Sequence, residues 1–192
     1  DISRRWYAHS RYLFAYANFL KNSGVFSLYA AGNLGKGDFN VYRMFVELAV
    51  RRTRQEGRAG QITPAGLYGG SNASAIRHFI LDHNTLEFLA GCENKGQVFF
   101  EDVHPQTWFA IYVLKRGGQS YKFRLRFGVD SLQRAAAMTK EGIELDADTV
   151  RQLAPDTYAI GDVRDLPQLA TSRKMNAACP ALGDRSAGPP FR

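Results

Sequence analysis

The sequence predicts an α/β fold, read as the second half of an open sheet that ends in antiparallel strands. Three observations lead there. Stretches with apolar residues at helical spacing alternate with short apolar stretches punctuated by glycine and proline. Residues 108–114 form an almost unbroken run of aromatic and β-branched side chains, as expected of a central, buried strand. Beyond Gly117-Gly118, Tyr121, Phe123, Leu125 and Phe127 alternate with Lys122, Arg124 and Arg126, which makes one strand face apolar and the other cationic.

The elements follow in order. Trp6, Tyr7, Leu13, Phe14, Ala17 and Leu20 define a long amphipathic helix that stops near Asn22, Ser23 and Gly24. A glycine-containing loop over 32–37 leads to Asp38 and Asn40, whose side-chain oxygens suit an N-cap. Val41, Met44, Phe45, Leu48 and Ala49 then mark the apolar side of a second helix. It ends in Arg51, Arg52 and Arg54, cations that complement a helix C-terminus, before Gly57. Residues 58–64, apolar on average and closed by Pro64, predict a buried strand. After Gly69-Gly70, Asn72 is placed to cap a helix with Ile76, Phe79 and Ile80 on its inner face. Residues 86–90 are a strand, and Gly117-Gly118 is a hairpin signal between the runs at 108–114 and 121–127. A helix over 131–140, a strand over 143–145, a short helix over 148–153 and a helix over 166–175 complete the pattern. A βαβ series of this kind predicts helices on both faces of a mostly parallel sheet, followed by an antiparallel pair.

A length of 192 residues supports one good core rather than two complete domains. Lysine and arginine number 25 against 18 acidic residues, and the net charge of +7 suits a polyanionic partner while also being common in proteins that bind none. Hydrophobic residues at 45% exclude intrinsic disorder. No apolar run approaches the roughly 20 residues that span a bilayer, so a cytoplasmic protein without a membrane partner is expected. Cys92 and Cys179 lie far apart and form no Cys-x-x-Cys pair, which supports neither a disulfide framework nor a zinc site.

The usual signatures of chemistry are missing. Gly32-Asn33-Leu34-Gly35-Lys36-Gly37 lacks the Gly-Lys-Ser/Thr ending of a phosphate-binding loop and reads as the approach to a helix. His9, His78, His83 and His104 have no metal-ligand spacing. Glu101 and Asp102 are adjacent, and neighbours on an extended chain point opposite ways, which makes a poor acid–base pair. No catalytic residue is assigned.

Two stretches remain. Residues 37–47 read Gly-Asp-Phe-Asn-Val-Tyr-Arg-Met-Phe-Val-Glu, and residues 93–104 read Glu-Asn-Lys-Gly-Gln-Val-Phe-Phe-Glu-Asp-Val-His. With the strand at 57–64 between them, they resemble the later motifs of adenine-specific DNA methyltransferases from restriction-modification and phage-defence systems, the large single-chain type IIG-like enzymes. The first stretch matches the family's Asn-x-Tyr-x-x-Phe-x-Glu pattern at Asn40, Tyr42, Phe45 and Glu47. The similarity is strongest over 37–114, and Pro180-Ala181-Leu182-Gly183-Asp184 resembles the exit toward a recognition region.

The resemblance implies a Rossmann-like, S-adenosylmethionine-dependent methyltransferase domain. Residues 1–128 would be its C-terminal half, and 129–192 an α/β extension toward a target-recognition region outside this chain. The implied partners are double-stranded DNA and the polypeptide carrying the first half of the domain. Phe45 would pack on the adenine ring of S-adenosylmethionine, with Asn40 and Tyr42 bracing the start of its helix. Phe100, or alternatively Phe99, would stack on a target adenine flipped out of the duplex, restoring about 1–3 kcal/mol of lost stacking.

Plainer readings stand beside these. Phe45 is also suited to ordinary core packing, and one of Phe99 and Phe100 is expected to be a core plug. Lys122, Arg124 and Arg126 either track the DNA backbone or form a solvated strand face. The family's cofactor-binding glycine motif and its catalytic Asn/Asp-Pro-Pro-aromatic motif do not occur in these residues. Without those acceptors the adenine amine is not positioned, so the chain alone is expected to be inactive. The rival reading is a non-catalytic α/β nucleic-acid-binding or assembly module.

Overall fold

The computed structural model describes residues 1–30 and 40–178; the glycine-rich stretch 32–37, Asp38, Cys179 and the segment 180–184 lie outside the described residues. Helices α1 (Ile2–Asn22), α2 (Ser27–Ala30) and α3 (Tyr42–Arg52) precede strand β1 (Arg58–Pro64). Helices α4 (Gly66–Gly69) and α5 (Ser74–His83) follow, then β2 (Asn84–Glu93), β3 (Trp108–Arg116) and β4 (Lys122–Val129). Helix α6 (Leu132–Glu141), β5 (Ile143–Asp146), α7 (Ala147–Leu153) and α8 (Leu166–Ala178) complete the described chain.

The five strands form one sheet in the order β1-β3-β2-β4-β5. Strand β3 runs antiparallel to both β1 and β2, β4 is parallel to β2, and β5 is antiparallel to β4. The fold is α/β as expected, but its sheet is mostly antiparallel. The hairpin expected at Gly117-Gly118 does not form, because both edges of β3 are already paired and β4 adds beyond β2. The two glycines, at φ +91° and +81°, instead carry the chain past the start of β2. That crossing is pinned there: Asn84 Oδ1 accepts from Gly117 N (3.1 Å), and Ser120 Oγ donates to Asn84 O (2.9 Å) while accepting from Leu86 N (2.8 Å).

One face of the sheet carries the larger core. Leu86, Leu89, Tyr112, Leu114, Phe123, Leu125 and Phe127 meet Val46 and Val50 of α3, Ile76, Ile80 and Leu81 of α5, Val150 of α7 and Leu169 of α8. The chain on either side of residue 128 contributes to this core. Gly91 is obligatory within it, since a Cβ there would sit 2.1 Å from the Phe127 ring. The opposite face holds a smaller cluster of Phe88, Ala90, Cys92, Phe109 and Val129, covered by Phe99 and by Ala135 and Met138 of α6.

Three expectations need correction. Strand β1 is a half-buried edge strand rather than a fully buried one, with Ala59 and Thr63 inward and Ile62 exposed. Asn72 caps no helix; it lies in a 3₁₀ turn, and α5 begins without a side-chain cap. Helix α3 turns a different side inward than its apolar residues suggest, burying Arg43, Met44, Val46, Glu47 and Val50 while Val41, Phe45 and Leu48 stay exposed. The reason is local compensation, because buried charges are tolerated when each has dedicated partners. Arg43 Nη1 donates to Asn72 O (2.8 Å), and the Glu47 carboxylate accepts from Leu28 N (3.2 Å), Ser27 Oγ (3.3 Å) and Arg51 Nε (2.9 Å). Helix α1 forms where expected and is capped by Asp1, yet of its side chains only Leu20 is buried, against Met44 and Phe26. No helix among the described residues is long and apolar enough to cross a membrane.

Candidate functional site

Of the sequence-derived site residues, Asn40, Tyr42, Phe99 and Phe100 lie toward one end of the sheet, on or against the connections that leave it there. Pro64 at the end of β1 pairs with Phe109, and Glu93 at the end of β2 pairs with Trp108 at the start of β3. This shared end carries two connections: the loop that follows β1, and the 94–107 segment between β2 and β3. A backbone bond from Ala65 N to Trp108 O (3.2 Å) ties the first connection to β3, and one from Asn94 N to Thr107 O (3.1 Å) closes the base of the second.

The 94–107 connection starts with a 3₁₀ turn, Lys95–Gln97, in which Gly96 and Gln97 take positive φ. It is not the extended segment the sequence suggested, so the strict opposition of Phe99 and Phe100 does not apply. Both rings meet Phe109 edge-on, Phe99 at 5.3 Å and 78°, Phe100 at 5.1 Å and 73° between ring centroids and planes. Phe99 is half-buried against the smaller core, whereas Phe100 is 38% exposed. Beneath them Cys92 is buried, and burial pushes its thiol up to about 12. His104 is exposed and accepts from Gln106 N at Nδ1 (3.2 Å).

On the larger-core side of the same end, the start of α3 meets the loop after β1. Asn40 Oδ1 accepts from Tyr42 N (3.2 Å), and the Tyr42 hydroxyl lies so close to Gly66 that a Cβ there would be 3.0 Å from it. Asn40, Tyr42, Arg43, Gly66, Gly70, Ser71, Asn72 and Ala73 line an open cleft of about 230 Å³. Burial raises the Tyr42 hydroxyl above its ordinary value, with Arg43 and Arg77 opposing the rise. Arg77 organises the loop from below. It is buried, its Nη1 donates to Leu67 O (3.0 Å) and Gly70 O (2.8 Å), and its Nε donates to Thr157 O (2.8 Å). Desolvation lowers its pKa to about 10, which still leaves it charged at neutral pH.

Phe45 does not line this cleft. Its ring is 60% exposed on the outer side of α3, and its backbone carbonyl accepts from Gln61 Nε2 (3.3 Å) on β1. Lys122, Arg124 and Arg126 lie on β4 and already have partners within the chain. Lys122 pairs with Glu144 (3.1 Å), Arg124 donates to Thr139 O (2.6 Å), and Arg126 pairs with Glu141 (3.2 Å). The structure thus brings Asn40 and Tyr42 together, sets Phe99 and Phe100 on Phe109 on the other face of the sheet, and leaves Phe45 apart from both.

Comparison with solved structures places the architecture. The chain is similar to the type IIG restriction endonuclease BpuSI (TM-score 0.50, 12% identity), covering 66% of this chain and 16% of that one. It is similar to the M protein of the type I restriction enzyme EcoKI (TM-score 0.52, 10% identity), covering 72% and 42%. A third match is DrdV in a DNA complex (TM-score 0.51, 12% identity), covering 68% and 14%. The chain shares the fold of part of each of these proteins. It spans less than half the length of each of these proteins, and at such identities the likeness is one of fold. No protein-family model and no curated protein matches the sequence.

Sequence reasoning missed three residues that hold the loops of the site in place. Asn94, Arg43 and Arg77 are all buried polar side chains that hold loop carbonyls. Only their lying among residues that would be inaccessible could have flagged them, and one-dimensional periodicity does not report that.

Proposed function

We propose that the chain is the trailing half of a DNA methyltransferase that moves a methyl group from S-adenosylmethionine to the exocyclic nitrogen of adenine. Its catalytic Asn/Asp-Pro-Pro-aromatic motif and cofactor glycine motif would lie on further polypeptide that pairs with β1, the outer strand among the described residues. The observation that carries this reading is the turn that holds Phe100 partly exposed and braced on Phe109 at the carboxyl end of β2. Such a ring is suited to the face of an extruded base.

Asn40 and Tyr42 fit a cofactor's polar groups, since an amide, a hydroxyl and loop backbone converge on one open cleft. Phe45 stands one turn along α3, where its exposed ring would face an adenine once the missing polypeptide closes that side. When bound, S-adenosylmethionine supplies the methyl on an electrophilic sulfonium. The residues of this chain shape the pocket and receive the base; positioning of the amine belongs to the absent motif. Lys122, Arg124 and Arg126 are assigned to DNA phosphates, to which they would transfer from their present carboxylate and carbonyl partners.

The test is transfer of labelled methyl groups to duplex DNA. We expect none with this chain alone and transfer once the preceding polypeptide is restored. In the restored protein, Phe100→Ala or Phe99→Ala should reduce turnover. Full turnover in both variants would remove the base-stacking role.

A further inference from the structure

We propose that Asn94 is a positioning residue for Phe100, fixing the orientation in which that ring meets an extruded base; this rests on the stacking role proposed above. Asn94 is fully buried and commits its whole side chain to one loop. Its Nδ2 donates to Phe100 O (2.9 Å) and Val103 O (3.0 Å), while its Oδ1 accepts from Phe99 N (3.2 Å) and Phe100 N (3.0 Å). A carboxamide offers two N–H donors and one oxygen with two lone pairs, so its capacity is fully used.

The pattern goes beyond closing a turn. An Asx-type turn needs only the side-chain oxygen and an amide two residues on. Here the nitrogen also donates to Phe100 O and to Val103 O further along the loop, and Phe100 is clasped through its own N–H and its own C=O. With the backbone held and Phe109 beneath, the ring's remaining freedom is small. A binding surface ordered in advance loses less entropy when its ligand arrives. Gln97 Nε2 adds a weaker, exposed clasp to Val103 O (3.4 Å).

The experiment uses the 192-residue chain and two duplexes, one with 2-aminopurine opposite an abasic site and the same duplex fully paired. The readout is the ratio of the two affinities, because general destabilisation lowers both together. Phe100→Ala should lower the ratio about tenfold, within the range of one lost stacking contact. Asn94→Asp, of the same shape but unable to donate to both carbonyls, should lower it roughly threefold or more with Phe100 intact, and the Phe99 and Phe100 amides should exchange faster. Asn94→Ser gives the same comparison with a neutral side chain should the buried carboxylate prevent folding. If Phe100→Ala lowers the ratio while a folded Asn94 variant leaves it unchanged, the positioning role is overturned. If Phe100→Ala itself leaves it unchanged, the stacking role fails and this proposal falls with it.

Discussion

Two segments of the chain share a pattern and differ in physics. At the start of α3 and after β2, an asparagine precedes a phenylalanine by five residues, Asn40 before Phe45 and Asn94 before Phe99. Asn40 is exposed and its Oδ1 accepts one bond, from Tyr42 N. Asn94 is buried, makes four bonds, and holds two rings against a buried third. The first segment's ring stands in solvent; the second's are set before any ligand arrives. Residue type and spacing therefore do not reveal preorganisation, which depends on whether the polar anchor has been removed from water.

The sharpest way to break this contrast is to remove the support of the second segment. Phe109→Ala should cost about 3–5 kcal/mol in urea unfolding, the usual penalty for deleting a buried aromatic, and should loosen both rings above it. A loss below about 1 kcal/mol would mean the rings do not depend on that pedestal. The dryness of the same cluster can be measured through Cys92. With its thiol raised from 9.0 to about 12 by burial, the neutral form is favoured in the folded state. Its contribution to stability is whole below pH 9 and is lost as pH rises from about 9 toward about 12. In a Cys179→Ser background, Cys92 should react with a disulfide reagent at pH 8 roughly a thousandfold more slowly than after unfolding. Rapid labelling of folded protein would show an open cluster.

The first segment should respond weakly. Asn40→Ala should cost about 1 kcal/mol or less, one exposed turn bond, with little change in the exchange of amides elsewhere. Phe45→Ala should change the stability of this chain by less than about 0.5 kcal/mol, as for a surface position. A cost near 2 kcal/mol would restore the reading of Phe45 as core and weaken its assignment to the cofactor.

Much of the local structure was legible. The alternation around Phe123, Leu125 and Phe127 marked a strand whose apolar side is buried, and the strands expected at 58–64 and 108–114 form as Arg58–Pro64 and Trp108–Arg116. The inner side of α3 was not legible, because Arg43 and Glu47 occupy it with partners at Asn72 and Leu28, far along the chain. The Gly117-Gly118 pair marked a change of direction correctly but not its destination.

What the sequence alone determined is the longer helices and the strands, since helix and strand periods are properties of neighbouring residues and need no distant partner. Tertiary structure decided the strand order, the inward side of α3 and the anchoring of Phe100. Each depends on which strand edges remain unpaired and on which carbonyls lie within reach of a buried side chain. Those are distances through space between residues remote in sequence, and local pattern carries no record of them.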